Sequence, residues 1–180
     1  DTANIKHQLK ERFIKMKSIS IYKEPVVING LLSNYHKGHM WKVPEELFGK
    51  VSDFIDIMGI RATGGRIRFR TNTKKLWVKS ILQSCTADVN FPIIGTASCD
   101  VLRGRGIEAE YVGYVVPREF GVLTAEREIK LPGTMEDITI YMPRNEAVED
   151  IQIAIDDDAE ILPPTPYTFE DPVLYYGSSV

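Results

Sequence analysis

Apolar and polar residues alternate with a period of two over much of this chain. Arg66-Ile67-Arg68-Phe69-Arg70 alternates strictly, and Leu76-Trp77-Val78 follows beyond Asn72 and Thr73. A period of two sends successive side chains to opposite faces of a strand. The pattern therefore predicts a β-hairpin with Ile67 and Phe69 toward the core and the arginines outward. Further strands are predicted over 18–22, 26–28, 78–83, 107–116, 124–131, 137–142 and 151–155. Glycine and proline punctuate them, as at Gly104, Gly106, Gly121, Pro132-Gly133 and Pro143. Many short strands separated by frequent turn signals predict a mainly-β fold, a jelly-roll-like β-sandwich.

Two stretches carry a helical signal instead. Ile5, Leu9, Phe13 and Met16 recur three or four apart, which predicts a helix over 4–17 within an N-terminal segment 1–17. Its other face is basic (Lys6, Lys10, Lys15, Lys17). The apolar stripe suits docking on the domain better than lying on a membrane. Pro44-Glu45-Glu46 opens a second, short helix through Val51, with proline in the first turn and acids at the positive end of the helix dipole.

The texture changes after residue 162. Residues 18–162 read as the sandwich. Pro163, Pro164 and Pro166 mark a stiff extended linker over 163–171. Over 172–180, Pro172-Val173-Leu174-Tyr175-Tyr176 is a continuous apolar run, which suits a strand buried on both faces. It reads as the first strand of a second, α/β domain. A chain that ended there would expose an apolar strand edge, so a longer protein is expected.

Composition narrows the function classes. The chain has 180 residues, 43% hydrophobic and 26% charged, with no apolar run of the roughly 20 residues a membrane helix needs. A net charge of −3 argues against general nucleic-acid binding. The charge is uneven: no Lys or Arg follows Arg144, whereas nine acids do. Solvated strand ends and turns are favoured over an acidic tail for a basic partner, because Ile151, Ile153, Ile155 and Ile161 lie among those acids. Two cysteines exclude a disulfide scaffold. Cys85 and Cys99 read as free thiols rather than a cross-strand pair. Ile5 to Met16 lacks the apolar core of a signal peptide, and the sequence assigns no compartment.

The sharpest chemical signal is Gly177-Ser178-Ser179, directly after the apolar strand. A tight turn there lifts a serine hydroxyl out of the sheet edge, and backbone N–H groups beyond it can hold an oxyanion. Ser179 is the candidate nucleophile, with Gly177 and Ser178 shaping the turn. The text Pro172 to Val180, "PVLYYGSSV", resembles the first block of the SGNH (GDSL-type) hydrolases, specifically bacterial esterases with an additional N-terminal β-domain. Val43 to Lys79, with its core "TGGRIRFRT" (Thr63 to Thr71), resembles the opening of that β-domain. Ile129 to Pro143, "IKLPGTMEDITIYMP", is similar to a later segment. Cys99 to Val101, "CDV", falls near the family's "GxDLY" motif, although its flanks depart from it.

The resemblance implies an accessory domain followed by the first strand of a serine esterase. Its partner would be the protein's own catalytic domain and its substrate a small ester, with acetylated carbohydrate the favoured class. It also implies a late Asp-x-x-His block. His7, His36 and His39 are the three histidines of this sequence, all early and none in that context. These 180 residues alone are therefore expected to be inactive. The alternative is a non-catalytic carbohydrate-binding or structural module; homo-oligomerisation stays open.

Other motifs read as structural. His36-Lys37-Gly38-His39 lacks companions at zinc spacing, Asp156-Asp157-Asp158 lacks the alternating ligands of a calcium loop, and Gly104-Arg105-Gly106 reads as a hairpin turn rather than a phosphate loop. No metal or cofactor is expected. Arg66, Arg68 and Arg70 share one strand face. With Trp77 or tyrosines nearby they could line a groove for an anionic or sugar-like ligand. A solvated face paired to acids is favoured, and a domain interface is the third reading.

Overall fold

A computed structural model describes residues 16–32, 35–87 and 89–169. Among the described residues, ten strands form two antiparallel sheets. One has four strands in the order β1-β9-β4-β7, from β1 (Met16–Ile19), β4 (Lys75–Leu82), β7 (Thr124–Lys130) and β9 (Val148–Asp156). The other runs β10-β3-β8-β5-β6, from β3 (Arg66–Thr71), β5 (Cys99–Arg103), β6 (Glu110–Val115), β8 (Glu136–Tyr141) and β10 (Ile161–Leu162). β2 (Val27–Asn29) also pairs with β3. No helix among the described residues is long and apolar enough to cross a membrane.

The core lies between the sheets and follows the period of two. Ile67 and Phe69 of β3, Leu76 and Val78 of β4, Val101 of β5, Ile138 and Ile140 of β8, and Ile151, Ile153 and Ile155 of β9 are all buried. Facing inner surfaces of two sheets interdigitate in this way to close a sandwich.

The expected hairpin between residues 66–70 and 76–78 does not form. β3 pairs with β8 and β2, whereas β4 pairs with β9 and β7, so Asn72 to Lys74 cross from one sheet to the other. Local side chains make that short arch possible. Asp156 Oδ2 accepts hydrogen bonds from Thr73 Oγ1 at 2.9 Å, the Lys74 N–H at 2.8 Å and the Lys75 N–H at 3.0 Å. Alternation fixes which face a residue takes but not which sheet its strand joins. The inward placement of Ile67 and Phe69 holds.

Several boundaries also differ. Met16 and Lys17, placed at the end of a helix by the sequence pattern, open β1, which pairs with Asp156 to Ile153 of β9. The rest of that helix lies outside the described residues. Tyr22 falls in a turn after β1. The helix expected over 44–51 is a single 3-10 turn, Glu45–Leu47, and the longer helix follows as α1 (Asp53–Gly59). Ser52 caps α1, its hydroxyl accepting from the Ile55 N–H at 3.3 Å. A short α2 (Ile93–Ala97), β5 and β10 were not foreseen. Gly106–Glu108 forms a 3-10 turn, so β6 begins only at Glu110.

Among the described residues, the acids after Arg144 lie in a strand, at its ends and in turns, largely as favoured, but not all of them are solvated. Most belong to or flank β9, inside the four-stranded sheet, and Glu146 and Asp150 are buried. Glu146 accepts from Ser84 Oγ at 2.7 Å, and Asp150 from Tyr22 Oη at 2.6 Å. Cys85 and Cys99 are free and buried. Burial pushes the Cys99 thiol up to about 12.

Candidate functional site

β3 shares one of its edges between two short strands. β2 takes Arg66 to Arg68, and β10 takes Arg70 and Thr71. Beyond Leu162 the chain cannot continue along that edge, because β2 already occupies it. Residues 163–168 instead climb onto the outer face of the six-stranded sheet, where Arg66, Arg68 and Arg70 project.

This segment cannot be held by a backbone ladder. Pro163, Pro164 and Pro166 have no N–H to donate, yet their carbonyls need donors. The arginines supply them at matching spacing. Arg70 Nε donates to the Pro163 carbonyl at 2.9 Å, and Arg68 Nη2 to the Thr165 carbonyl at 2.7 Å. Arg66 Nε donates to Tyr167 Oη at 3.2 Å. Arginines two apart on a strand thus meet residues two apart on an extended proline-rich chain. Arg105, from the turn between β5 and β6, donates to the Pro166 carbonyl at 2.9 Å. Thr165 is the one residue of 163–166 with an N–H. That N–H donates to Asp137 Oδ1 at 2.8 Å, and its hydroxyl to Oδ2 at 2.6 Å.

Tyr167 completes the arrangement. Its ring lies over the Arg68 guanidinium, 3.9 Å from centroid to Cζ, and Arg68 is left 8% exposed. A guanidinium stacked on an aromatic face and hydrogen-bonded at its edge is held in one orientation. Arg68 Nη1 also donates to Asn29 Oδ1 at 3.2 Å, tying β2 to the same point.

The arginine face is therefore engaged with backbone carbonyls, Asn29 and Tyr167 rather than with acids. Arg66 and Arg70 stay partly exposed, as a solvated face would have them, while Arg68 is buried. Its aromatic neighbours are Tyr141 and Tyr167; Trp77 belongs to the other sheet. Asp137, Thr165 and Arg105 were not singled out as partners. The usable signal was the pairing of Arg-x-Arg-x-Arg with a distant Pro-Pro-Thr-Pro, each short of what the other offers. Gly177, Ser178 and Ser179 lie outside the described residues.

The remaining motifs are placed as follows. His36 and His39 face each other across a tight turn, and His39 stacks on Trp41 with centroids 3.7 Å apart. Asp156 is consumed by the arch between β3 and β4, while Asp157 and Asp158 sit in a turn. Gly104 and Gly106 both take positive φ in the β5–β6 connection. Gly30 has a φ of +78°, and a Cβ there would stand 2.1 Å from the Gly64 carbonyl oxygen, so this loop needs glycine.

Residues 16–161 match a family model described as GxDLY, the N-terminus of SGNH-hydrolase-type esterases. Within that span, Asp100 of Cys99-Asp100-Val101 accepts from Ser98 Oγ at 2.9 Å. Among solved structures, the chain is similar to one described as a GDSL-like lipase from Bacteroides ovatus. The TM-score is 0.71 and the identity 14%, over 83% of this chain and 43% of that one. It is also similar to the salicylyl-acyltransferase SsfX3 from a tetracycline biosynthetic pathway. Here the TM-score is 0.64 and the identity 16%, over 84% of this chain and 42% of that one. At these identities the likeness is one of fold. The chain spans less than half the length of either structure. No curated protein matches.

Proposed function

The chain belongs to the GxDLY family of N-terminal domains of SGNH-hydrolase-type esterases, and from that premise we propose that it is the accessory domain of a longer serine ester hydrolase. In this reading the sandwich carries no chemistry of its own. It delivers the chain, along the arginine ladder, into a catalytic domain that begins at Pro172, with Ser179 as nucleophile. Gly177 and Ser178 form the turn that exposes it. The observation that carries the proposal is the pinning of residues 163–168, directly upstream of "PVLYYGSSV", on the sheet face. A tether held by side chains at four residues supports the reading that a further domain follows it.

The reaction would be acyl transfer through an acyl-serine. The Ser179 hydroxyl loses its proton to a base as its oxygen attacks the ester carbonyl, the alcohol leaves, and water releases the acid. None of His7, His36 and His39 sits in the Asp-x-x-His context that supplies such a base, so we assign base and acid to residues beyond this sequence. Acetylated carbohydrate is the substrate class proposed, on the family resemblance. We also read the sandwich as a jelly roll, supported by the repeated passage of successive strands between the sheets.

The test compares p-nitrophenyl acetate hydrolysis by the 180-residue chain, by the protein extended through its reading frame, and by the extended protein with Ser179→Ala. Activity in the second alone is expected. Ser179-dependent turnover by the 180-residue chain would overturn the proposal. The alternative, a glycan-binding module, predicts retardation of the 180-residue chain in a polysaccharide gel.

A further inference from the structure

The strap of residues 163–168 leaves a groove of about 430 Å³ beside it, over β3, β8 and β5. Arg66, Arg68, Arg105, Asp137, Tyr141 and Tyr167 are among the residues that line it. Three guanidinium groups face one carboxylate, and both oxygens of that carboxylate are taken by Thr165. The other partners of the arginines are neutral: Asn29, Tyr167 and backbone carbonyls, including that of Gly64. Among the described residues, none of the three has an ion pair. Arg103, just outside the groove, contrasts with them, because Glu110 and Glu136 both pair with it.

Neutral acceptors satisfy N–H groups without neutralising charge. Three like charges converge here, one of them on a guanidinium only 8% exposed, and their mutual repulsion is screened less than in open water. An oxyanion relieves it. Donors remain for one: Nη2 of Arg66, and Nε and Nη1 of Arg105, make no hydrogen bond to the described residues. Guanidinium forks match carboxylate, phosphate and sulfate oxygens. Tyr141 and Tyr167, 40% and 51% exposed, offer ring faces beside those donors. Exposed tyrosine faces are amphipathic and suit a flat or sugar ring.

We propose that this groove binds a sugar-sized ligand through a single oxyanion group, carboxylate or phosphate, with Arg66 and Arg105 as its ligands and Tyr167 and Tyr141 as flanking surfaces. The site is independent of the assignment of Ser179, and it is read by binding rather than hydrolysis, so either reading can fail without the other.

The experiment is an NMR titration of the 180-residue chain with galacturonate, inorganic phosphate and, as the uncharged control, galactose. Saturable shifts of the Arg66 and Arg105 Nε–H signals and the Tyr167 ring are expected with the anions. Galacturonate binding tighter than phosphate would assign a contribution to the rings; equal binding would contradict the tyrosine part of the proposal. Raising NaCl to 0.5 M should weaken binding at least tenfold. Arg66 and Arg105 each give the strap one hydrogen bond. Arg105 is the exposed one, and Gln in its place keeps an amide donor for the Pro166 carbonyl. The decisive variant is therefore Arg105→Gln, which should weaken binding tenfold or more while Thr165 amide exchange stays at the parent rate, and Arg105→Lys should restore part of the binding. Shifts that Arg105→Gln leaves unchanged would overturn the proposal, as would no saturation at 10 mM of either anion. Glu170 and Asp171 follow in the sequence. Binding that appears only in an E170Q/D171N variant would show the groove to be a clamp for the chain's own acids, and would also overturn it.

Discussion

Asp137→Ala should release the strap while leaving the sandwich folded. Asp137 holds Thr165 through two hydrogen bonds to a carboxylate, at 2.8 and 2.6 Å. Bonds to a charged group contribute about 1.5–3 kcal/mol each when isolated. These two share one residue and are partly exposed, so their joint effect is about 2–3 kcal/mol rather than the sum. Such a loss raises the open population of the strap by about 30- to 150-fold, since 1.4 kcal/mol is a factor of ten. Thr165 is the only residue between 163 and 166 with an amide proton, and that proton is itself in the bond. Native-state hydrogen exchange at Thr165 therefore reads the bond directly. The Asp137 backbone carbonyl keeps its bond from the Gly104 N–H in the variant, so core amides of β3 and β8 should hold their protection. Thr165 exchange within a factor of three of the parent would refute the reasoning. A parallel fall in core protection would show that Asp137 acts on the whole domain instead.

Further outcomes follow from other parts of the structure. Asp156→Ala strips three donors at the β3–β4 arch and should cost about 1–3 kcal/mol, whereas Asp157→Ala should stay within about 0.5 kcal/mol; denaturant midpoints of the pair separate the two. Gly30→Ala combines a positive φ with a clash on the Gly64 carbonyl, so a loss above about 1 kcal/mol is expected in the same assay. Cys99 keeps its proton in the fold up to about pH 12, while the unfolded thiol releases it near its ordinary value of 9.0. The native state then binds more protons than the unfolded one between those values, so stability should fall as pH rises from 9 toward 12. Cys99→Ala, compared at pH 8 and pH 10.5, should fall less steeply than the parent.

The inner face of the sandwich was legible because burial and the period of two are both local. Ile67, Phe69, Ile138, Ile140, Ile151 and Ile153 could be assigned without knowing their partners. Strand pairing was not legible, because Thr73 and Asp156, 83 residues apart, decide whether β3 and β4 share a sheet. The candidate site shows the same division. The three arginines on one face could be read directly. Their partners lie 93–101 residues downstream, in a segment whose prolines signal an extended chain but not what it rests on. Strand ends and turns were rightly favoured over an acidic tail after Arg144, but the burial of Glu146 and Asp150 was not legible, since net charge says nothing of which carboxylates a strand carries into the interior.

The central claim is that the strapped segment leads into a catalytic serine at position 179. A fluorophosphonate probe, applied to the protein extended through its reading frame and followed by peptide mass spectrometry, tests it most directly. The account predicts a single adduct on the peptide that contains Gly177-Ser178-Ser179, on Ser179, lost in Ser179→Ala together with esterase activity. An adduct on any other serine, or activity that survives Ser179→Ala, would contradict it.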